Sequence, residues 1–435
     1  MAKVVRQIGL SLGADLCWPA AYEELLRRLD LHIPVGNDEV SFEVERVKVE
    51  PFDLRAKPRY DLVLDRLTHW FHTSREWIKK ISLDGTYVLN NPWAIQSMEK
   101  HTSYVAMMKL GLPIPDTWMI PPKEYETGGD WDVTVRRYNR LFDLGSVGNA
   151  VGYPAFLKPY DGGGWVGVTR VKDEGGLRIA YDDSGKRVQH LQAAVRDWDL
   201  FVRGIGVGPQ VNVVKYDPDQ PLHERYRVAF HFLDGEEWQR VVRTCRTINS
   251  FFGWDFNSCE LLRNAEGMSP IDFANACPDS QVTSLHYHFP WLVKALLRWS
   301  VFCAATQRKK AFNLQWDRYF EAFDPDADLD TLLERYDAIA QEYYDTEAFE
   351  AFNAEHLGAL DEIALEFFGT DQFRGIVREK VAALFPPHEV ERFTDHFFGM
   401  IQFWRQTESD RLAGRPTNPS SPPTPPSPPP TRSSE

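Results

Sequence analysis

The chain has 435 residues, with 49 Lys and Arg against 63 Asp and Glu, a net charge of -14, and 43% hydrophobic residues. That length predicts two or three domains rather than one, and the negative balance argues against nucleic acid as a partner held by bulk electrostatics. No stretch is apolar for long enough to span a bilayer and the amino-terminal apolar run is too short for a signal peptide, while five cysteines without C-x-x-C spacing imply neither zinc nor disulfides and read as reduced thiols of a cytoplasmic protein.

From the amino terminus, VVRQIGLSL reads as a first strand. AAYEELLRRLDLHI follows as an amphipathic helix by its i, i+3, i+4 apolar spacing. VSFEVERVKVE alternates as a strand and YDLVLDRL reads as another, so residues 1–89 are expected to form a small α/β domain. Further on, GYPAFLKPYDGGGWVGVTRV reads as a hairpin. Tyr153–Pro159 is a strand carrying Lys158, Asp161–Gly164 a tight turn and Trp165–Val171 the returning strand. Gly162, Gly163 and Gly164 would let the backbone approach a ligand and present N–H groups to it, with Lys158 as a point charge for phosphate. An ordinary glycine-rich turn fits the same residues. The Walker pattern GxxxxGK[ST] is absent, and the lysine precedes the glycines.

In HERYRVAF, Arg225 and Arg227 sit on or near a strand start with Tyr226 facing the other way. They, and Arg203 earlier in the chain, are candidates to stabilise a transferred phosphoryl group, with solvated arginines as the alternative. The segment SCELLRNAEGMSPIDFANACPD then reads as a second hairpin, turning over Asn264–Gly267. Folded about Glu266, it places Glu260 opposite Asp272 and Asn257 opposite Asn275. Facing carboxylates repel, and a cation between them resolves the repulsion; hard oxygen ligands of this kind suit Mg²⁺. Two solvated carboxylates on an exposed hairpin face are the other reading. His286 and His288, two apart, would share a face on a strand, but no further ligand stands at a suitable spacing. The acidic run Asp324, Asp326, Asp328, Asp330 lacks the glycine and terminal glutamate of a Ca²⁺ loop. From residue 311 to 412 several segments carry aromatic-rich apolar stripes and predict a packed helical region. Residues 413–435 form a Pro/Ser tract that cannot bury a core.

Lysine and glycine turn first, paired carboxylates later, resembles the ATP-grasp superfamily. NNPWAIQSMEKHTSYVAMMKLGLPIPDTWMI is similar to the family segment in which a helical lysine precedes a Gly-Leu/Ile-Pro-x-Pro turn and a strand. The resemblance implies an ATP-grasp fold of two α+β lobes over residues 90–310, preceded by the small α/β domain and followed by the helical region. It implies ATP as cofactor, bound by Lys100 and Lys158 at the phosphates and by Gly162, Gly163 and Gly164 as a covering loop. Gln192 to Val195, with Ala194 and Val195 among them, match the adenine hinge, and Asp199 the ribose-binding acid. Glu260, Asp272 and Asn275 match the Mg²⁺ ligands. Two departures stand out. The last two ligands read Asp-x-x-Asn instead of Glu-x-Asn, which calls for a β-bulge, and Gln192 stands where the family usually has glutamate.

The implied activity is an ATP- and Mg²⁺-dependent carboxylate–amine (or carboxylate–thiol) ligase. A small-molecule or peptide carboxylate would attack the γ-phosphate to give an acyl phosphate, which an amine then displaces. A non-catalytic, synapsin-like nucleotide-binding protein and an ATP-grasp phosphotransferase are the alternatives. The sequence names neither substrate nor oligomeric state.

Overall fold

The computed structural model describes residues 2–68, 71–94, 99–138, 140–161, 166–275 and 277–415. Gly162, Gly163, Gly164 and Trp165, and the tail from Pro416 onward, lie outside the described residues. Among the described residues, mixed α and β structure forms three sheets and a carboxyl-terminal set of helices.

The first sheet holds β1 (Ala2–Ser11), β2 (Ile33–Val35), β3 (Asp38–Arg46), β4 (Leu62–Asp65) and β5 (Tyr87–Leu89) in the order β2-β3-β1-β4-β5. β3, β1, β4 and β5 run parallel, and β2 is antiparallel to β3. The helix Cys17–Leu29 follows β1 and buries Trp18, Tyr22, Leu25 and Leu26, one stripe at helical spacing. Its Tyr22 hydroxyl meets Ser300 Oγ at 2.7 Å on the helix Phe289–Ala305. In that helix every residue but Trp291 and Arg298 is buried, as expected of a helix apolar all round.

The second sheet, order β6-β9-β7-β8, holds β6 (Thr117–Ile120), β7 (Ala155–Pro159), β8 (Thr169–Val171) and β9 (Gln189–Ala193), paired antiparallel throughout. β7 and β8 are the two arms of the expected Lys158 hairpin, both shorter than the sequence suggests. The third sheet is antiparallel in the order β12-β11-β10-β13-β14, from β10 (Leu200–Val207), β11 (Gln210–Tyr216), β12 (Tyr226–Arg227), β13 (Phe256–Asn264) and β14 (Gly267–Asp272).

The helix Gly235–Phe252 lies across this sheet. Asp234 and Glu237 form a capping box at its start, and Gly253, at φ 67°, ends it. Its close approach depends on the spacing RGIGVG in β10. A Cβ at Gly204 would overlap Cys245 Sγ, and one at Gly206 the Asn249 amide. The carboxyl-terminal helices bury the aromatic stripes expected of them, including Phe367, Phe373, Phe397 and Trp404. Asp328, part of the acidic run, caps the helix Leu329–Tyr344 by accepting from the Thr331 N–H at 2.8 Å. His286–His288 form a short 3-10 turn instead of a strand, leading into the helix Phe289–Ala305.

Candidate functional site

The β13–β14 hairpin brings Glu260 directly opposite Asp272. The register arises in two steps. Asn264 pairs Gly267 and Leu261 pairs Pro270, and then the ladder shifts so that Ile271 is unpaired and Glu260 meets Asp272. The irregularity therefore lies just before Asp272, whereas the sequence places it between Asp272 and Asn275. Asn275 follows the strand end. Its backbone N–H donates to Asn257 Oδ1 at 2.9 Å and its amide nitrogen to the Ser258 carbonyl at 3.1 Å, which brings Asn257 and Asn275 together as expected.

Each carboxylate is held by a different cation. Arg203 stands opposite Glu260 on the neighbouring strand β10, and its guanidinium pairs with the Glu260 carboxylate and with the Tyr226 hydroxyl. The same guanidinium lies over the Tyr216 ring, 4.6 Å from its centroid. Lys100, the first residue of the helix Lys100–Lys109, pairs with Asp272 Oδ2. The other oxygen, Asp272 Oδ1, is buried without a hydrogen-bond partner among the described residues. Burial alone would raise the Asp272 carboxyl. Lys100 and then Lys158 outweigh it and hold the group below its ordinary value.

Lys158 comes from the second sheet. It is buried on β7, and its Nζ donates to Gln192 Oε1 at 2.7 Å on β9. Gln192 Nε2 donates in turn to Thr117 Oγ1 at 3.0 Å on β6. Burial pushes the Lys158 ammonium down to about 8, opposed by Asp272 and reinforced by Lys100. His190, directly opposite Lys158 in the β7–β9 register, is fully buried, with neither ring nitrogen partnered among the described residues. Burial, with Lys158 and Lys100 nearby, pushes its pKa down to about 2, so the ring is neutral. Tyr104 ties the two sheets together. Its ring packs edge-on against His190 and Phe273, and its hydroxyl donates to the carbonyl of the unpaired Ile271 at 2.8 Å.

The remaining candidates are placed as follows. Ala194 N–H donates to the Pro154 carbonyl at 3.1 Å, and Val195 packs partly buried against the main core. Asp199 is exposed and accepts two bonds from Arg263, at 3.0 and 2.9 Å. Arg225 donates to the Gln220 carbonyl within its own loop, and Arg227 is exposed on β12 opposite Lys215. His190, Tyr104 and Thr117 join the site without having been read from the sequence. Period-two alternation on β9 is the signal for His190, since it shares a face with Gln192. A groove of about 520 Å³ lined by Trp118, Tyr125, Trp131 and Phe142 also lies on the lobe of the second sheet; none of these charged residues lines it.

Among the described residues, no group of three or more His, Cys, Asp and Glu gathers as a metal site. Asp272 Oδ1, with no hydrogen-bond partner among the described residues, belongs to the residue that pairs Glu260 in the ladder and fits a divalent cation such as Mg²⁺, commonly held by one or two carboxylates with substrate phosphates completing its shell.

No protein-family model matches the sequence, and no curated protein matches it. Solved structures similar to the chain include D-alanyl-alanine synthetase A from Vibrio cholerae O1 biovar eltor str. N16961, at 15% identity over 70% of this chain and 98% of that one, with a TM-score of 0.46. A RimK domain protein ATP-grasp from Sphaerobacter thermophilus DSM 20745 is similar at 14% identity over 68% and 99%, TM-score 0.44. D-alanine–D-alanine ligase from Bacillus anthracis is similar at 11% identity over 79% and 99%, TM-score 0.44. In this chain a mostly parallel α/β sheet is followed by two antiparallel sheets, with Lys158 on one and Glu260 and Asp272 on the other. Among the described residues no helix is long and apolar enough to cross a membrane.

Proposed function

We propose that this chain is an ATP- and Mg²⁺-dependent ligase that joins a small-molecule or peptide carboxylate to an amine, or to a thiol. One observation carries the reading: Lys100, Lys158 and Arg203 converge on Glu260 and Asp272 where the second and third sheets meet. Three cations and two acids in one buried layer match the needs of a polyphosphate and its metal, and exceed what packing requires.

In this reading Lys100 and Lys158 neutralise phosphate charge, and Gln192 to Val195 border the base. Glu260 and Asp272, with the Asn275 amide oxygen, would hold Mg²⁺, which supplies further charge neutralisation at the terminal phosphates. Arg203 lies beside Glu260 and stabilises charge on the transferred phosphoryl group. A substrate carboxylate oxygen bonds to the terminal phosphorus as the bond to ADP breaks, giving an acyl phosphate. The amine then bonds to the acyl carbon, phosphate leaves, and the amine loses a proton. No enzyme nucleophile is needed, and the nearby Cys259 thiol, pushed well up by burial, is unsuited to that part. Free, mostly buried cysteines accord with a reducing, cytoplasmic setting.

The test is a trap for the acyl phosphate. With ATP, Mg²⁺, hydroxylamine and pools of amino acids, peptides and other metabolic acids, the protein is expected to release ADP and phosphate and to form a hydroxamate. Asp272→Asn should give little of any of them. Tight ATP binding with no turnover across broad pools, and side chains filling the space beside the γ-phosphate in a bound structure, would favour the non-catalytic reading instead.

A further inference from the structure

We propose that this site captures nucleotide and divalent cation jointly, because the acids that would take the metal and two of the cations that would take the phosphates are held against each other. The proposal rests on the nucleotide reading above and concerns how that site is loaded.

The two pairs are Lys100 with Asp272 and Arg203 with Glu260. Their side chains are 6% and 20% exposed in the first pair, 13% and 8% in the second. Each pair joins separate elements. Lys100 reaches the hairpin from the start of a helix, and Arg203 faces Glu260 across the β10–β13 ladder. A buried ion pair is costly to break from one side only, since the abandoned partner is left as an uncompensated charge. A metal ion on Glu260 and Asp272 without phosphates would strand Lys100 and Arg203. A nucleotide without metal would strand the two acids. Arriving together they replace two internal pairs with two complete sets of contacts.

Lys158 is outside this exchange. Its partner is the neutral amide of Gln192, so it can accept a phosphate without abandoning a carboxylate. It supplies the baseline affinity for metal-free nucleotide, and the other two cations supply the coupling. Asp272 points the same way: one oxygen is engaged by Lys100, and the other is buried with no partner among the described residues, an arrangement that a cation would complete.

The consequence runs against the usual effect of removing a metal ligand. Asp272→Asn frees Lys100 from its internal partner, so metal-free nucleotide should bind more tightly than to the wild-type chain. The mirror variant, Lys100→Met, frees Asp272 and should strengthen divalent-cation binding without nucleotide.

The experiment uses the full chain, ADP in chelator, ADP with Mg²⁺, and Mn²⁺ followed by its paramagnetic resonance signal. In the wild type, Mg²⁺ is expected to tighten ADP binding on the order of tenfold or more, and ADP to tighten Mn²⁺ by the same factor as Mn²⁺ tightens ADP. In Asp272→Asn, metal-free ADP should bind several-fold tighter than wild type, and the gain from Mg²⁺ should largely vanish. Glu260→Gln, which frees Arg203, gives the same test at the second pair if Asp272→Asn does not fold, read with a non-hydrolysable ATP analogue because Arg203 serves the terminal phosphoryl group that ADP lacks. Wild-type binding of Mg²⁺-ADP with metal-free affinity unchanged or weaker in these variants overturns joint capture and leaves the nucleotide site standing. No binding of ADP to the wild type in either buffer overturns the nucleotide reading and this proposal with it.

Discussion

Lys158 on β7 donates to Gln192 on β9 across 2.7 Å, so a buried ammonium of this site is matched to an amide and not to a carboxylate. A glutamate there would neutralise it. With glutamine the charge stays free for a ligand, and burial lowers its proton affinity.

A pH dependence follows. Lys158 sits near 8, and only its charged form makes a charge-assisted phosphate contact. ADP affinity should therefore hold steady below about pH 7.5 and fall as pH rises through about 8. Gln192→Glu should move that fall to higher pH by stabilising the ammonium. Calorimetry between about pH 7 and 9.5 checks both, and a flat wild-type profile would take Lys158 out of the phosphate contacts. For folding the sign is separate. Lys158 drops from 10.5 to about 8 in the folded chain, so the unfolded chain binds the extra proton across that window. The group's contribution to stability rises with pH through it.

Much of this site is legible in the sequence because hairpins are local. Turn residues at Asn264–Gly267 and apolar arms on either side confine Glu260 and Asp272 to facing positions. Even so, the pairing is reached through an unpaired Ile271 that composition does not reveal. What is not legible is long-range register. Arg203 meets Glu260 because β10 and β13, distant in sequence, align residue for residue. Lys100 meets Asp272 because a helix start abuts the hairpin. The sequence assigned these four groups to metal and phosphate one at a time, and their mutual pairing appears only when the chain is folded. The carboxyl-terminal helices were legible from their apolar stripes. The helix Phe289–Ala305 has no stripe to read, being buried nearly all round.

That pairing reverses an expectation about stability. Facing carboxylates by themselves would gain from losing a charge, but Glu260 and Asp272 are already compensated. Asp272→Asn and Glu260→Gln should each cost about 3–5 kcal/mol, the usual penalty for stranding one partner of a buried pair. Lys100→Met combined with Asp272→Leu should recover much of the loss, since a well-packed apolar pair can replace a buried ion pair. Chemical denaturation of the ligand-free protein measures this. Single variants as stable as the wild type would mean that the pairs are exchanged for water at little cost.

The glycines of β10 give a packing prediction. Gly204→Ala should destabilise the chain by about 1–3 kcal/mol, because the added methyl group overlaps Cys245 Sγ on the helix Gly235–Phe252. Adding Cys245→Ala removes the obstructing sulfur and should restore most of the stability. If the double variant is no better than the single one, the cost comes from the β10 backbone and not from the helix contact.

Tyr104 links the lysine end of the site to its acid end, and its hydroxyl offers the narrowest test. The ring touches His190, the cross-strand partner of Lys158, and Phe273, next to Asp272, while the hydroxyl donates to the carbonyl of Ile271, the unpaired residue before Asp272. Tyr104→Phe keeps the ring contacts and strands the Ile271 carbonyl, a loss of about 1–3 kcal/mol for a buried acceptor. The carbonyl fixes the backbone that aims Asp272, whereas Lys158 depends on β7 and β9. Affinity for Mg²⁺-ADP should therefore fall several-fold while affinity for metal-free ADP stays near the wild-type value. Parallel titrations in Mg²⁺ and in chelator separate the two. An equal loss in both buffers would show that Tyr104 holds the two sheets together without any particular hold on the hairpin of Glu260 and Asp272.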